Sequence, residues 1–181
     1  MTLAATDRTP AAPEALRHTT LTTPVGPWTA TVDERGVVVA AGFCDAVTLL
    51  ARLGRGPDDA GVTHVADLGP VTAAMRSYLA GDADALHGLD VRQPGGEFQQ
   101  QVWQRMREIP PGQTWTYAQL ASKSGRSAAV RAVGTACARN LVAPIVPCHR
   151  VVRSDGSLGG YYYGLSTKRW LLTHEGGSAP A

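Results

Sequence analysis

The chain lacks any apolar run approaching the ~20 residues a membrane helix needs, and residues 1–20 lack the hydrophobic core of a signal peptide. A cytoplasmic protein is the expectation. Cysteine is scarce: Cys44, Cys137 and Cys148 form no CxxC pair and no regular ladder, which argues against a disulfide framework and against a cysteine-built zinc site. At least one thiol is free. No glycine-rich loop that would cradle a phosphate occurs, so nothing in the chain suggests a cofactor. With 44% hydrophobic and 18% charged residues of both signs, the chain is too apolar to be disordered and too heterogeneous to be fibrous. A chain of 181 residues can bury about 70% of its unfolded surface, enough for one compact domain or two small ones.

The most informative absence is of acid. Residues 109–154 hold no Asp or Glu, yet carry Lys123, Arg126, Arg131, Arg139, Arg150 and Arg153. The formal charge of +2 hides this asymmetry: residues 1–97 carry 7 Lys+Arg against 12 Asp+Glu, and residues 98–181 carry 10 against 3. A long basic tract without a carboxylate is what neutralising a phosphate backbone requires. The plainer alternative is a solvated positive face with no partner.

Residues 1–17, rich in Ala, Pro and Thr, read as a mobile tail. Trp28–Val32 and Val37–Gly42 flank Asp33-Glu34-Arg35-Gly36 and predict a hairpin. Leu68, Val71, Met75 and Leu79 have helical spacing, closed by Gly81. These elements make an α+β N-terminal domain over 18–92, joined by a Pro/Gly linker at 93–97 to a helical C-terminal domain over 98–181. There Phe98, Val102, Met106 and Ile109 repeat at helical spacing, and Pro110-Pro111-Gly112 stops the helix. Thr116 with Gln119 fits a capping box before a short helix ending at Gly125. Ser127 is placed to cap the next helix, running from Ala128 to about Arg139. Two short helices around a Gly-containing turn read as a helix-turn-helix, a weak signal alone. The second helix is slim, with Ala128, Ala129, Ala132, Gly134, Ala136 and Ala138, and Arg131 projects from its start. That profile suits entry into a DNA groove; small residues equally permit tight packing on a neighbouring helix.

Of the three thiols, Cys44 and Cys137 sit among apolar or small residues and read as inert packing. Cys148 is followed at once by an imidazole and a guanidinium, in Pro147-Cys148-His149-Arg150-Val151-Val152. Positive charge lowers a thiol pKa toward the thiolate needed for attack. In an extended segment His149 would point away from the sulfur, so a sharp turn or a bridging water is required. Glu175 is a candidate to orient His149, although a Glu near the end of the chain is, taken alone, more simply a surface charge.

The hexapeptide at 147–152, with Arg131-Ala132-Val133-Gly134 seventeen residues ahead of the Cys and Asn140 eight ahead, resembles the O6-alkylguanine-DNA alkyltransferase family. Phe98–Trp103, Tyr117–Ala121, Gly159–Tyr161 and Lys168–Gly176 extend the similarity, and Thr22–Gly26 matches more loosely. The resemblance implies a small ribonuclease H-like α+β domain followed by a winged-helix/helix-turn-helix DNA-binding domain. It implies stoichiometric transfer of an alkyl group, methyl above all, from O6-alkylguanine or O4-alkylthymine in double-stranded DNA to Cys148 in a single turnover. It assigns His149 as a base acting through water, Glu175 as its partner and Asn140 as a hydrogen-bonder near the active loop. By the same similarity Tyr117 helps rotate the nucleotide and protonates the leaving guanine. Arg131 fills the vacated stack, with Arg126, Ser127 and Ser154 also on DNA. Val151, Tyr161, Tyr162 and Tyr163 fall at the base pocket. No cofactor is required, and a monomer is expected. Some relatives hold zinc in the N-terminal domain; here only Cys44, His18, His64 and His87 are on offer, so no metal is expected.

Two departures stand out. The family commonly has Asn-Pro before the active loop, where this chain has Asn140-Leu141, which predicts a less rigid loop. The family also places small residues where Tyr162 and Tyr163 stand, and the added volume leads us to expect restriction to small alkyl groups. Two competing readings are a non-enzymatic lesion-binding protein, which typically lacks the cysteine, and a helix-turn-helix regulator with Cys148 as a redox sensor. The second would need base-reading side chains on a helix that offers mostly Ala and Gly.

Overall fold

A computed structural model describes residues 14–56 and 58–177. Residues 1–13 of the expected tail lie outside these, but Leu16 and Arg17 do not belong to a tail: they open strand β1, Leu16–Thr23. A Thr23 hydroxyl that donates to Gly26 O and accepts from Val25 N closes a tight turn into β2, Gly26–Val32. The predicted hairpin follows, with Asp33 accepting the Arg35 and Val37 amides before β3, Val38–Gly42. Helix α1, Ala46–Arg52, is capped by Asp45, and β4, Val62–His64, returns parallel to β1. The sheet order is β3-β2-β1-β4, antiparallel apart from that pair. Helix α2, Pro70–Leu79, sets the Tyr78 ring edge-on to Trp28 on the sheet and buries Met75 in the same apolar cluster.

The edge strand β3 does not face solvent with unpaired amides, a liability that folded chains generally cover. Val38 pairs with the segment around Val91, and Ala41 exchanges hydrogen bonds with Leu141 and Ala143. The N-terminal sheet therefore holds the segment that leads to Cys148.

Helix α3, Glu97–Met106, includes Glu97, which the sequence placed in the linker. Its Trp103 donates through Nε1 to Ala136 O, 2.9 Å away, tying it to the helix behind. A two-residue strand β5, Trp115–Thr116, precedes α4, Tyr117–Lys123, whose Thr116/Gln119 capping box forms as expected. Helix α5 runs Val130–Arg139, two residues shorter than predicted: Ala129 is the cap residue and the exposed Ser127 makes no capping bond. Its Val133 and Ala136 face the core, so the small residues serve packing on one face, while Arg131, Ala132, Thr135 and Ala138 face out. A single 3-10 turn, Cys148–Arg150, leads to β6, Val151–Val152, parallel to β5, and α6, Leu165–His174, closes the fold. The chain is mixed α+β, and one buried apolar cluster spans both halves.

Candidate active site

The turn required beside Cys148 is present. Cys148 and His149 lie on the 3-10 turn rather than in an extended segment, and both are buried. Asn140, just after α5, donates through Nδ2 to Cys148 Sγ at 3.2 Å and to Val146 O at 2.7 Å. Burial pushes the Cys148 thiol up, partly offset by the Asn140 hydrogen bond and by the Lys168 charge. The resting sulfur is thus a thiol, and a base is needed to ionise it.

The candidate base is built from three elements. His149 Nε2 lies 2.9 Å from Glu175 Oε1, and Nδ1 has no hydrogen-bond partner among the described residues. Glu175 is no surface charge. It is buried, and it accepts from Arg150 through both carboxylate oxygens and from the Tyr78 hydroxyl at 2.8 Å. Burial alone would raise the Glu175 carboxyl, but His149 and Arg150 outweigh it and hold the group well below the usual carboxylate range. Burial lowers His149, against the opposing pull of Glu175. A neutral imidazole backed by an ionised carboxylate is ready to accept a proton.

Cys148 opens onto a cavity of about 210 Å³. Tyr117 from α4, Gly134, Cys137 and Ala138 from α5, and Gly160, Tyr161 and Tyr162 form its other walls. This is below the ~300–1,000 Å³ of a drug-sized site and suits one small planar group. Burial raises Tyr117 to about 12, so its phenol stays protonated. Its ring lies against Gly159 (φ 67), where a Cβ would approach within 3.2 Å. Cys137, read from sequence as inert packing, shares this cavity.

Two expected pocket residues lie elsewhere. Tyr163 turns away from the cavity, accepts from Arg52 Nη1 at 2.7 Å and packs against Gly42 and Phe43, because β3 offers a glycine where its hydroxyl sits. Val151 is buried against β5 and its carbonyl accepts from Lys168 Nζ at 2.6 Å. Tyr162, 59% exposed, keeps one face on the cavity and carries the Arg52 guanidinium 4.0 Å from its ring centroid. Arg126, Ser127, Arg131 and Ser154 are all exposed, and Arg126 lies over the Phe98 ring.

Sequence reasoning missed Arg52, Gln93, Lys168 and Tyr78. Arg52 also donates to Asn140 O at 3.1 Å, and Gln93 touches Asn140 as well. These contacts join residues far apart in the chain and leave no local signal. Lys168 did leave one: with Thr167, Leu171 and Leu172 it occupies the buried face of α6.

The family model described as "6-O-methylguanine DNA methyltransferase, DNA binding domain" matches residues 97–177. A methylated-DNA-protein-cysteine methyltransferase of Salmonella typhimurium is 44% identical over 108 residues, 60% of this chain, which spans 63% of that relative's length. One from Mycobacterium bovis is 35% identical over 170 residues, covering 92% of this chain and 96% of the relative. The crystal structure described as Mycobacterium tuberculosis OGT in complex with DNA superposes with a TM-score of 0.72 at 30% identity, over 91% of this chain and 96% of that one. The likeness to the M. bovis protein runs through the sheet as well as the cysteine turn. The chain belongs to the methylated-DNA-protein-cysteine methyltransferase family.

Proposed function

We propose that this protein repairs double-stranded DNA directly, taking the alkyl group of O6-alkylguanine, and of O4-alkylthymine, onto Cys148 in one turnover. One observation carries the reading: the only cysteine sulfur with a side-chain amide donor among the described residues, Cys148 Sγ, lines a cavity of about 210 Å³ beside a His149–Glu175 pair.

A base inside a duplex cannot reach a sulfur at the bottom of a cavity, so the nucleotide must turn out of the stack. Arg131, exposed on the first turn of α5, is placed to fill the space it leaves. Arg126, Ser127 and Ser154 hold neighbouring phosphates, and Tyr117, at the head of α4, meets both the phosphate and the base. The thiol proton passes through water to the free Nδ1 of His149. The thiolate then attacks the alkyl carbon opposite O6, the carbon–oxygen bond breaks with its electron pair left on the base, and the Tyr117 phenol supplies the balancing proton.

Once the His149 imidazolium has returned its proton through solvent to the Tyr117 phenolate, the net change is one alkyl group and one proton exchanged between thiol and base with no change of oxidation state, so the transfer calls for no cofactor. A thioether does not hydrolyse readily, which makes the protein its own final acceptor. The same proposal assigns residues 97–181 to DNA and chemistry, 93–96 to a linker and 16–92 to support, in a cytoplasmic monomer.

Incubation with a duplex containing O6-methylguanine, followed by intact-mass measurement, tests it. The chain should gain one CH₂, mapped to Cys148, and Cys148→Ser should gain none. A shift in DNA mobility with no change in mass would instead establish a lesion binder.

A further inference from the structure

A carboxamide can present either its NH₂ or its oxygen to a neighbour, and what surrounds its other end decides which. Asn140 directs Nδ2 at Val146 O and Cys148 Sγ, while Oδ1 accepts from Val142 N at 3.0 Å and from Gln93 Nε2 at 3.1 Å. Turned over, the same side chain would set oxygen against a carbonyl and a sulfur, and NH₂ against two donors. Val142 alone would leave half of that orientation unsupported.

Gln93 is itself fixed. It is 6% exposed, its Oε1 accepts from Leu141 N at 2.7 Å, and its main-chain oxygen accepts from Gln100 Nε2 of α3 at 2.7 Å. Leu141 carries an N–H that a proline there would lack; the Gln93 amide satisfies that donor and grips Asn140 with its other end. The Asn140–Leu141 step, expected from sequence to be slack, is clamped from the segment between the two halves.

We propose that Gln93 is a positioning residue for the nucleophile: it holds the Asn140 amide so that Nδ2 faces Cys148 and stabilises the sulfur as its negative charge develops. Gln93 touches neither the sulfur nor the cavity, and acts through Asn140. The proposal rests on Cys148 being the attacking atom.

The test is the pH profile of Cys148 alkylation by iodoacetamide, followed on the full chain by mass spectrometry with the peptides of Cys44, Cys137 and Cys148 resolved. Gln93→Met keeps the shape and removes both ends of the clamp; Gln93→Glu keeps an acceptor for Leu141 N but no donor for Asn140. Both should raise the midpoint for Cys148 by about one pH unit, the shift expected when a hydrogen bond to a charged group is lost. Asn140→Ala should do the same, and adding Gln93→Met to Asn140→Ala should move the midpoint no further. Unchanged midpoints in whichever Gln93 variants fold, or shifts that add in full in the double variant, would overturn the proposal. Methyl transfer from O6-methylguanine duplex to the unaltered chain is measured in parallel. Absence of transfer with the midpoint shift intact removes the repair reading and leaves the positioning role standing, whereas transfer with unmoved midpoints does the reverse.

Discussion

His149 Nε2 and Glu175 Oε1 stand 2.9 Å apart with neither side chain exposed, and the same carboxylate holds Arg150. Removing its charge strands a buried guanidinium as well as unbacking the imidazole. Glu175→Gln is therefore expected to lower stability by about 3–5 kcal/mol, the cost of breaking a buried ion pair from one side, read as the midpoint of urea unfolding. In the fraction that stays folded, methyl transfer should slow by about 10²–10⁴, the scale of a lost general base. A stable variant transferring at the original rate would remove Glu175 from the mechanism.

The same two groups set an acid limit. His149 is depressed by burial, so below about pH 6.5 the unfolded chain binds a proton that the native state resists, and stability falls as the pH drops. Glu175, held low mainly by His149 and Arg150 against its burial, gives stability that is present above about pH 4.3 and is lost as acid protonates it. Thermal unfolding followed from pH 8 to pH 3 should show a decline in two stages. Glu175→Gln should show a smaller lower stage, the remainder coming from Asp33 and Asp59, whose carboxyls are also held below their ordinary range, the first, against its burial, by Arg92 and the second by Arg55.

Only one of the two additional tyrosines bounds the cavity. If Tyr162 restricts the alkyl group by its volume, wild-type protein should react faster with O6-methylguanine than with O6-benzylguanine, and Tyr162→Gly should raise the benzyl rate by about tenfold or more. Tyr163→Phe removes only the Arg52 hydrogen bond and should leave the ratio of the two rates nearly unchanged. Equal rates with both substrates in the unaltered protein would sink the volume argument.

Arg131 and Arg126 are expected to behave differently on DNA. Arg126→Ala should weaken binding to damaged and undamaged duplex alike and reduce the salt slope by about one. Arg131→Ala should lose more on the damaged duplex, because its side chain is proposed to replace a base that has left the stack. Titrations at several salt concentrations with both duplexes separate the two outcomes.

Much of this was legible in the sequence where chemistry is local. The hairpin, the face of α3, the Thr116/Gln119 capping box and the glycine after α4 all formed as periodicity and turn residues implied. Strand β4 was missed because three residues carry too little pattern, and helix α1 because, unlike the equally short α4, it has no capping box to announce it. Ser127 made a plausible cap, yet the chain turned on Ala129 instead. The cysteine hexapeptide pointed to the thiol that lines the cavity, whereas the burial of Glu175 did not show: a lone carboxylate looks the same on paper whether water or an arginine awaits it. The Gln93–Asn140 and Arg52–Tyr163 contacts join positions 47 and 111 residues apart, beyond the reach of any window.

Tyr78, from the helix behind the sheet, completes the shell around Glu175, and Arg52 reaches from α1 to the Asn140 carbonyl. The amino-terminal portion thus braces the candidate site from behind. A gene trimmed to begin at α3 would encode every residue proposed to meet the lesion, and we expect it to yield a poor acceptor, with its carboxylate short of a donor and its asparagine unbraced.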